Sequence, residues 1–288
     1  MYVSILLSLA LYGRKYAFGQ HPPVSDNKKL AKPCDTTMTH PAYEIIGANR
    51  PGRWLITCDH ASNHIPNSVG LGSLGISAAD MSRHIAYDPG AAGLATALSE
   101  QLNSPAILSQ FSRLVIDPNR GEDDPTLIMQ LYDGTIIPAN RNIDPTETQR
   151  RLNNFHRPYH AALAQLAARR SDTVILAIHS FTPCLRGRAP RPWHLGILYG
   201  TDARLSCALL DVLQNEPDLC TGDNEPYRGQ LPNDAIDRHA ISANRHNTLI
   251  ELRNDLITTP TDQTLWATRL APLLTQALHQ AEHTQQEP

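Results

Sequence analysis

The order of segments along this chain predicts an α/β fold: one mixed, largely parallel sheet with helices on both faces. Two observations carry that reading. Short apolar runs with strand propensity, bounded by Gly or Pro, alternate with segments whose apolar residues recur at helical spacing. Such alternation is the pattern of strands joined through crossover helices. The length of 288 residues allows one large α/β domain or two small ones. No internal repeat and no Gly/Ser linker divides it.

The elements follow in order. Val3 to Leu11 is apolar but too short to span a membrane. No Lys or Arg precedes it, and Arg14 and Lys15 follow it, which is the reverse of a secretory signal. Residues 12–40 are polar and aperiodic. Residues 1–42 are therefore read as a leader, disordered or outside the folded part, with a signal peptide or a packed helix as the alternatives; residues 43–288 are read as a single catalytic α/β domain. Arg53 to Thr57 reads as the first strong strand, set off by Pro51-Gly52 before it and Pro66 after it. A Gly-rich exposed stretch, 67–75, follows. Asp88-Pro89 opens a helix through Leu102, an N-cap with proline at the first helical position. Short strands are expected at Ala106–Leu108 and Arg113–Ile116, then a turn at Asp117–Gly121 and a long loop over 121–143, of the kind that forms lids. Asp144 and Glu147 cap a further helix whose Leu152, Phe155, Tyr159, Ala162, Leu163 and Leu166 share one face. Strands at Thr173–Ile178, His194–Tyr199 and Thr248–Ile250, a helix at Asp202–Leu213 and a last helix at Thr261–His283 complete the reading. Pro272 should kink or split that last helix.

Bulk properties exclude several function classes. The net charge of −3 comes without a basic run, so nucleic acid is not the natural partner. Nothing spans a membrane. Five cysteines in no paired pattern indicate reduced thiols and a cytoplasmic setting. No G-x-S-x-G elbow, P-loop or G-x-G-x-x-G is present.

What remains is a set of polar groups at strand exits, where α/β proteins place their chemistry. His60 follows the first strand in the sequence Cys58-Asp59-His60-Ala61-Ser62-Asn63-His64. His179 ends the strand at Thr173–Ile178, and Glu251 ends the one at Thr248–Ile250. Two histidines and a carboxylate in such positions suggest a metal hydrolase: neutral imidazole is a good zinc ligand, catalytic zinc keeps three protein ligands and an open position, and a nearby carboxylate can carry the proton. Asp88 is the candidate third ligand and competes with a plain helix-cap role; Asp59 and Asn63 are rivals. Glu251 is the candidate general base, and Arg253, pointing the same way two residues on, is a partner that would make its burial tolerable. His64, His84 and His194 read as ordinary polar contacts. Cys58 near His60 is a weaker candidate for nucleophilic chemistry. Arg113, Arg120, Arg141, Arg186, Arg188 and Arg191 fall in or near loops, and arginine grips carboxylates with two parallel hydrogen bonds. A small amide carrying carboxylates is the substrate class these groups imply.

Six segments, taken together, resemble the N-formylglutamate amidohydrolase family: Cys58 to Asn63 with Ile65-Pro66, His84 to Ala91, Ser112 to Arg120, Ala177 to Pro183, Gly222 to Tyr227, and Ile250 to Ile257. They occur in order over roughly residues 43–260. The resemblance implies a three-layer α/β/α sandwich similar to zinc-dependent exopeptidases, one divalent metal (zinc), a ligand set of His60, Asp88 and His179, and Glu251 as base. Asn119-Arg120 resembles the carboxylate-binding Asn-Arg pair of zinc carboxypeptidases. The implied substrate-binding set is Arg113, Asn119, Arg120 and Arg253, and the implied substrate is an N-acyl amino acid, N-formyl-L-glutamate first. One departure stands out. Those peptidases carry His-x-x-Glu, whereas here His60 is followed by Asn63, so the carboxylate ligand must come from elsewhere. The same departure motivates an alternative: a non-catalytic protein that binds small ligands on a hydrolase scaffold.

Overall fold

The computed structural model describes residues 41–283. Except for Pro41 and Ala42, the expected leader lies outside the described residues. Ala42 itself is buried, and its carbonyl accepts a hydrogen bond from Gln110 N.

In chain order the strands are β1 (Tyr43–Ile46), β2 (Trp54–Cys58), β3 (Ala106–Ser109), β4 (Leu131–Tyr132), β5 (Thr135–Ile136), β6 (Val174–Phe181), β7 (Leu195–Leu198), β8 (Thr221–Asp223) and β9 (Asn247–Arg253). The helices are α1 (Ala78–Met81), α2 (Ala91–Gln101), α3 (Pro145–Arg151), α4 (Arg157–Ala168), α5 (Arg204–Leu213), α6 (Ala235–His239) and α7 (Pro260–His283). Seven strands form one sheet in the order β1-β3-β2-β6-β9-β7-β8, and β4 and β5 form a separate ribbon. The central strands β3, β2, β6 and β9 run parallel; β1 is antiparallel to β3, and β7 is antiparallel to β9. The mixed, mostly parallel sheet expected from the sequence is what forms.

Each central strand is buried on both faces, and the pleat sorts its side chains. Trp54, Ile56, Cys58, Leu176, Ile178, Ile250 and Leu252 pack against α2, α5 and α7. Leu55, Ile175, Ala177 and Leu249 pack on the other face with residues of α4 and α6. Truncating one of these aliphatics to alanine costs about 2–5 kcal/mol in a close-packed core. Continuing the alternation, His179 follows Ala177 and Glu251 follows Leu249, so both belong to the α4/α6 side. Beyond β2 the chain crosses to β3 through α2 on one face; beyond β3 it reaches β6 through α4 on the other. The C-terminal ends of β2 and β6 therefore flank a topological switch point, the place where open α/β sheets leave a crevice.

Three expectations need correction. Arg113–Ile116 is not a strand but a buried turn: Leu114, Val115 and Ile116 are fully enclosed in a second apolar cluster with Phe111 and Phe155, and Val115 N donates to Ser112 O. An apolar run of four residues satisfies either structure. Pro272 does not split the last helix, which runs unbroken from Pro260 to His283. The cap of α2 is Gly90 rather than Asp88. Gly90 takes a left-handed φ of 81°, and a Cβ there would lie 2.4 Å from Ile257 O, so glycine is required. The Asp144 cap of α3 is as expected, with its carboxylate accepting from Glu147 N at 2.7 Å. A π-helical turn, Leu152–His156, then joins α3 to α4.

Candidate active site

Three strand exits and one helix entry converge on a buried cluster. His60 lies just beyond β2, and its carbonyl accepts from Asp88 N at 2.9 Å, which fixes the entry to α2 beside it. His179 and Glu251 are directly paired residues on the parallel strands β6 and β9. The Nδ1 atoms of His60 and His179 face the same oxygen of Asp88, Oδ2, at 3.2 and 2.9 Å. Ser180 N donates to that oxygen at 3.3 Å. All three side chains are buried, and one ligand atom from each lies within 4.8 Å of the others.

Behind each imidazole stands a second carboxylate. His60 Nε2 is 2.8 Å from Asp117 Oδ1. His179 Nε2 faces Asp59 Oδ2 at 3.6 Å, long for a hydrogen bond but close enough for attraction. Asp59 is held in turn by the Tyr159 hydroxyl, which donates to its Oδ1 at 2.5 Å. Asp117 receives two hydrogen bonds from Arg113, at 3.1 and 2.7 Å. Burial alone would lower the His179 imidazole; the facing Asp59 carboxylate, the hydrogen bond to Asp88 and the charge of Asp88 overcome it and raise the group well above its usual range. Asp117 goes the other way, held far below the usual carboxylate range by Arg113 and His60 in spite of burial.

This arrangement fits a divalent metal. Two imidazole nitrogens and a carboxylate converge in a buried pocket, the donor set of catalytic zinc sites. Metal-bound histidines characteristically turn their other nitrogen to a carboxylate, and both do so here. Three polar atoms at the cluster are buried with no hydrogen-bond partner among the described residues: Glu251 Oε2, and the pair His179 Nε2 and Asp59 Oδ2, which face each other at 3.6 Å. Burial pushes the Glu251 carboxyl up to about 7; nearby His179 opposes the rise and Asp88 adds to it.

The cluster opens into a cavity of about 260 Å³. Its polar lining includes His60, Asp88, His179, Glu251, Arg113, Asn119 and Arg120, and its apolar lining includes Phe181, Leu198 and Leu249. Seven of the eight residues singled out from the sequence therefore meet in one place. The eighth, Arg253, is not among the lining residues: its Nε donates to Asp255 and its NH1 to Trp193 O, so it does not partner Glu251. Asn63 is exposed and donates to Met81 O. Asp88, rather than the residue three positions after His60, is the carboxylate that meets the two imidazoles. Cys58 is fully buried, and burial raises its thiol, which is the state of an unreactive cysteine.

Sequence reasoning missed several groups. Asp117 read only as a turn residue and Tyr159 only as part of an apolar helical stripe, although Asp117 holds the His60 imidazole and Tyr159 holds the Asp59 carboxylate. Tyr132, from the β4–β5 ribbon within the long loop, and His84 also line the cavity. Behind the loop that carries Asn119 and Arg120 sits a second group of histidines: His156, His160 and His239, all buried. His160 Nε2 donates to Pro118 O and His156 Nε2 to Arg120 O, both at 2.9 Å. His160 Nδ1 must then accept, and it does so from His239 Nε2 at 2.8 Å.

A buried His/Asp/His cluster with an unpartnered glutamate, at the switch point of a mostly parallel sheet, defines a hydrolase-like α/β protein, and comparison with known proteins narrows the class. The family model for N-formylglutamate amidohydrolase matches residues 52–258, most of the chain, and the chain belongs to that family. Among solved structures it is similar to a gene product of Agrobacterium tumefaciens, with 34% identity and a TM-score of 0.78 over 84% of this chain and 96% of that one. It is also similar in fold to an N-formylglutamate amidohydrolase of Ralstonia eutropha JMP134, with 22% identity and a TM-score of 0.61 over 81% of this chain and 98% of that one. No curated protein matches it. The resemblance read from the sequence is thus confirmed at the level of family and fold, and the chain is a hydrolase of the amidohydrolase kind.

Proposed function

We propose that this protein hydrolyses the amide bond of an N-acyl amino acid, N-formyl-L-glutamate first, with one divalent metal, zinc, held by His60, Asp88 and His179. The observation that carries the reading is the Glu251 carboxylate, buried and unpartnered, directly across the sheet from His179. A zinc ion bound there would supply the Lewis acidity that polarises an amide carbonyl and brings the pKa of water down to about 7. The remaining roles fall to the chain itself. Glu251 Oε2 takes the proton from the attacking water and returns it to the amide nitrogen, so that the C–N bond breaks and formate and a free amine leave. Asp117 and Asp59, behind the Nε2 atoms of His60 and His179, orient the two imidazoles so that they would be ready to hold the ion together with Asp88. Arg120, anchored by Thr126 Oγ1 and its neighbour's carbonyl, holds a substrate carboxylate together with Asn119. Arg113, committed to Asp117, supports the site electrostatically from its wall.

The partner is a small molecule, and neither nucleic acid nor a membrane has a place in this reading; no helix among the described residues is long and apolar enough to cross a membrane. A cytoplasmic setting suits the free thiols Cys58, Cys184, Cys207 and Cys220. The test is amine release from N-formyl, N-acetyl and N-succinyl amino acids by zinc-loaded and chelator-treated protein. The expected result is release from N-formyl-L-glutamate that chelation abolishes and zinc restores. Full activity in a sample shown to be metal-free would remove the metal from the mechanism, and release from no N-acyl amino acid would remove the function.

A further inference from the structure

The cavity presents three arginines, and their commitments differ. Arg113 gives both prongs of its guanidinium to Asp117. Arg120 uses Nε and NH1 on Thr126 and the Asn119 carbonyl, which aims it and leaves its other nitrogen for a ligand. Arg228 also lines the cavity, yet its side chain has no hydrogen bond or ion pair among the described residues. An exposed arginine without a partner is ordinary on a flexible surface. Here the surrounding backbone is fastened on both sides. Asn224 Oδ1 accepts from Tyr199 N and from Gly229 N, at 3.0 and 3.1 Å. Gly229 lies so close to the chain after β7 that a Cβ would meet Tyr199 N at 2.3 Å. Before Arg228, the Tyr227 hydroxyl accepts from Arg191 NH1 at 3.0 Å, with the Arg191 guanidinium 4.9 Å from the ring centre. After it, Gln230 Oε1 accepts from Thr201 N at 2.8 Å. The loop is pinned by hydrogen bonds on both sides of Arg228, while the Arg228 guanidinium itself is uncommitted among the described residues.

The topology brings the two available arginines to the cavity from opposite sides of the cluster in the strand order. Arg120 enters from beyond β3; Arg228 enters from the loop after β8, packed on β7; the His60–Asp88–His179 cluster lies at the strands between them. A ligand lying across the cluster meets a cation at either end. At about 260 Å³ the cavity is small for a ligand site, which favours a short acyl group and a compact amino acid.

We infer that Arg228 is a specificity-determining residue: it binds the side-chain carboxylate of an N-acyl dicarboxylic amino acid while Arg120 binds the α-carboxylate. This rests on the function proposed above and adds to it the residue that selects an acidic side chain. Guanidinium and carboxylate pair through two parallel charge-assisted hydrogen bonds, which a neutral amide cannot match.

The experiment compares kcat/KM for N-formyl-L-glutamate and N-formyl-L-glutamine in the zinc-loaded wild type, Arg228→Ala and Arg228→Lys. The wild type should favour glutamate. In Arg228→Ala that preference should fall roughly 10- to 100-fold, carried mainly by KM, and Arg228→Lys should recover part of it. Calorimetric titration of L-glutamate and L-glutamine into the same proteins reads the same selectivity without turnover. If the wild type hydrolyses neither substrate, the proposed reaction fails while the binding preference still tests Arg228. A preference that persists undiminished in Arg228→Ala, or equal affinity for the two amino acids in the wild type, overturns the inference. Arg228 is exposed, so unchanged thermal unfolding of both variants is expected and shows that lost selectivity is not lost folding.

Discussion

Among the described residues lie two groups of buried histidines, and they are opposites. His60 and His179 are each flanked by carboxylates, Asp88 on one side and Asp117 or Asp59 on the other. His156, His160 and His239 face backbone carbonyls, one another and the nearby charge of Arg238, with no carboxylate in hydrogen-bond contact. Burial disfavours the charged form in both places. At His179 the carboxylates win, and the imidazole is raised; at His160 only the hydrogen bond to Pro118 O opposes burial, and the neighbouring histidines and Arg238 add to it, so the imidazole is held far below its usual range. The first group is built to receive positive charge. The second stays neutral and serves as a hydrogen-bonded brace under the Asn119–Arg120 loop. Histidine number says nothing about which is which; the neighbours decide.

The largest effect expected within this contrast is on the proton carrier. Glu251→Gln keeps the size and the fold but cannot accept a proton, so kcat should fall about 10²- to 10⁴-fold with little change in KM. Steady-state kinetics on N-formyl-L-glutamate checks this, and near-wild-type turnover would show that another group carries the proton. Next comes Asp59→Asn, which removes the charge behind His179 while keeping the Tyr159 contact. Zinc affinity, read by competition with a chromophoric chelator, should weaken about 10- to 100-fold. An unchanged affinity would mean that Asp59 serves the fold alone.

The brace should declare itself through acid stability. Burial holds His239 down to about 4, whereas an unfolded histidine takes up its proton near 6.5. Between those values the unfolded state binds more protons, so stability is fully present above pH 6.5 and declines as the pH falls toward 4. For His239 alone the loss at pH 5 is about 2 kcal/mol. Denaturant titrations at pH 7.5 and 5 should show an acid limb that is shallower in His239→Asn by about that amount. Parallel limbs would mean that the cluster titrates normally in the folded protein.

The groups that belong to strands were the legible ones. His60, His179 and Glu251 stand at the ends of runs whose strand character survives any packing detail, and the parallel sheet brings those ends to one edge. Asp88 was half legible: Asp-Pro before a helix describes a cap and a ligand equally well, and only the left-handed Gly90 moves the cap two residues on. Asp117 and Tyr159 were hidden because the turn and the helical stripe already account for them; their work depends on partners 57 and 100 residues away. Arg253 shows the reverse failure. Its alternation with Glu251 is real, but at the last residue of β9 the side chain is free to turn to Asp255. Arg113–Ile116 failed as a strand because enclosure, rather than pairing, explains its apolar run.

In the proposed function the carboxylate-flanked histidines hold a metal that Glu251 and the brace do not. Bound zinc per protein chain, measured by mass spectrometry after reconstitution and desalting, tests it most directly. The account predicts one equivalent in the wild type and in Glu251→Gln, one in His160→Gln, and none in His179→Ala, since catalytic zinc keeps three protein ligands. Zinc retained with activity in His179→Ala, together with zinc lost from Glu251→Gln, would contradict it and exchange the ligand and the base.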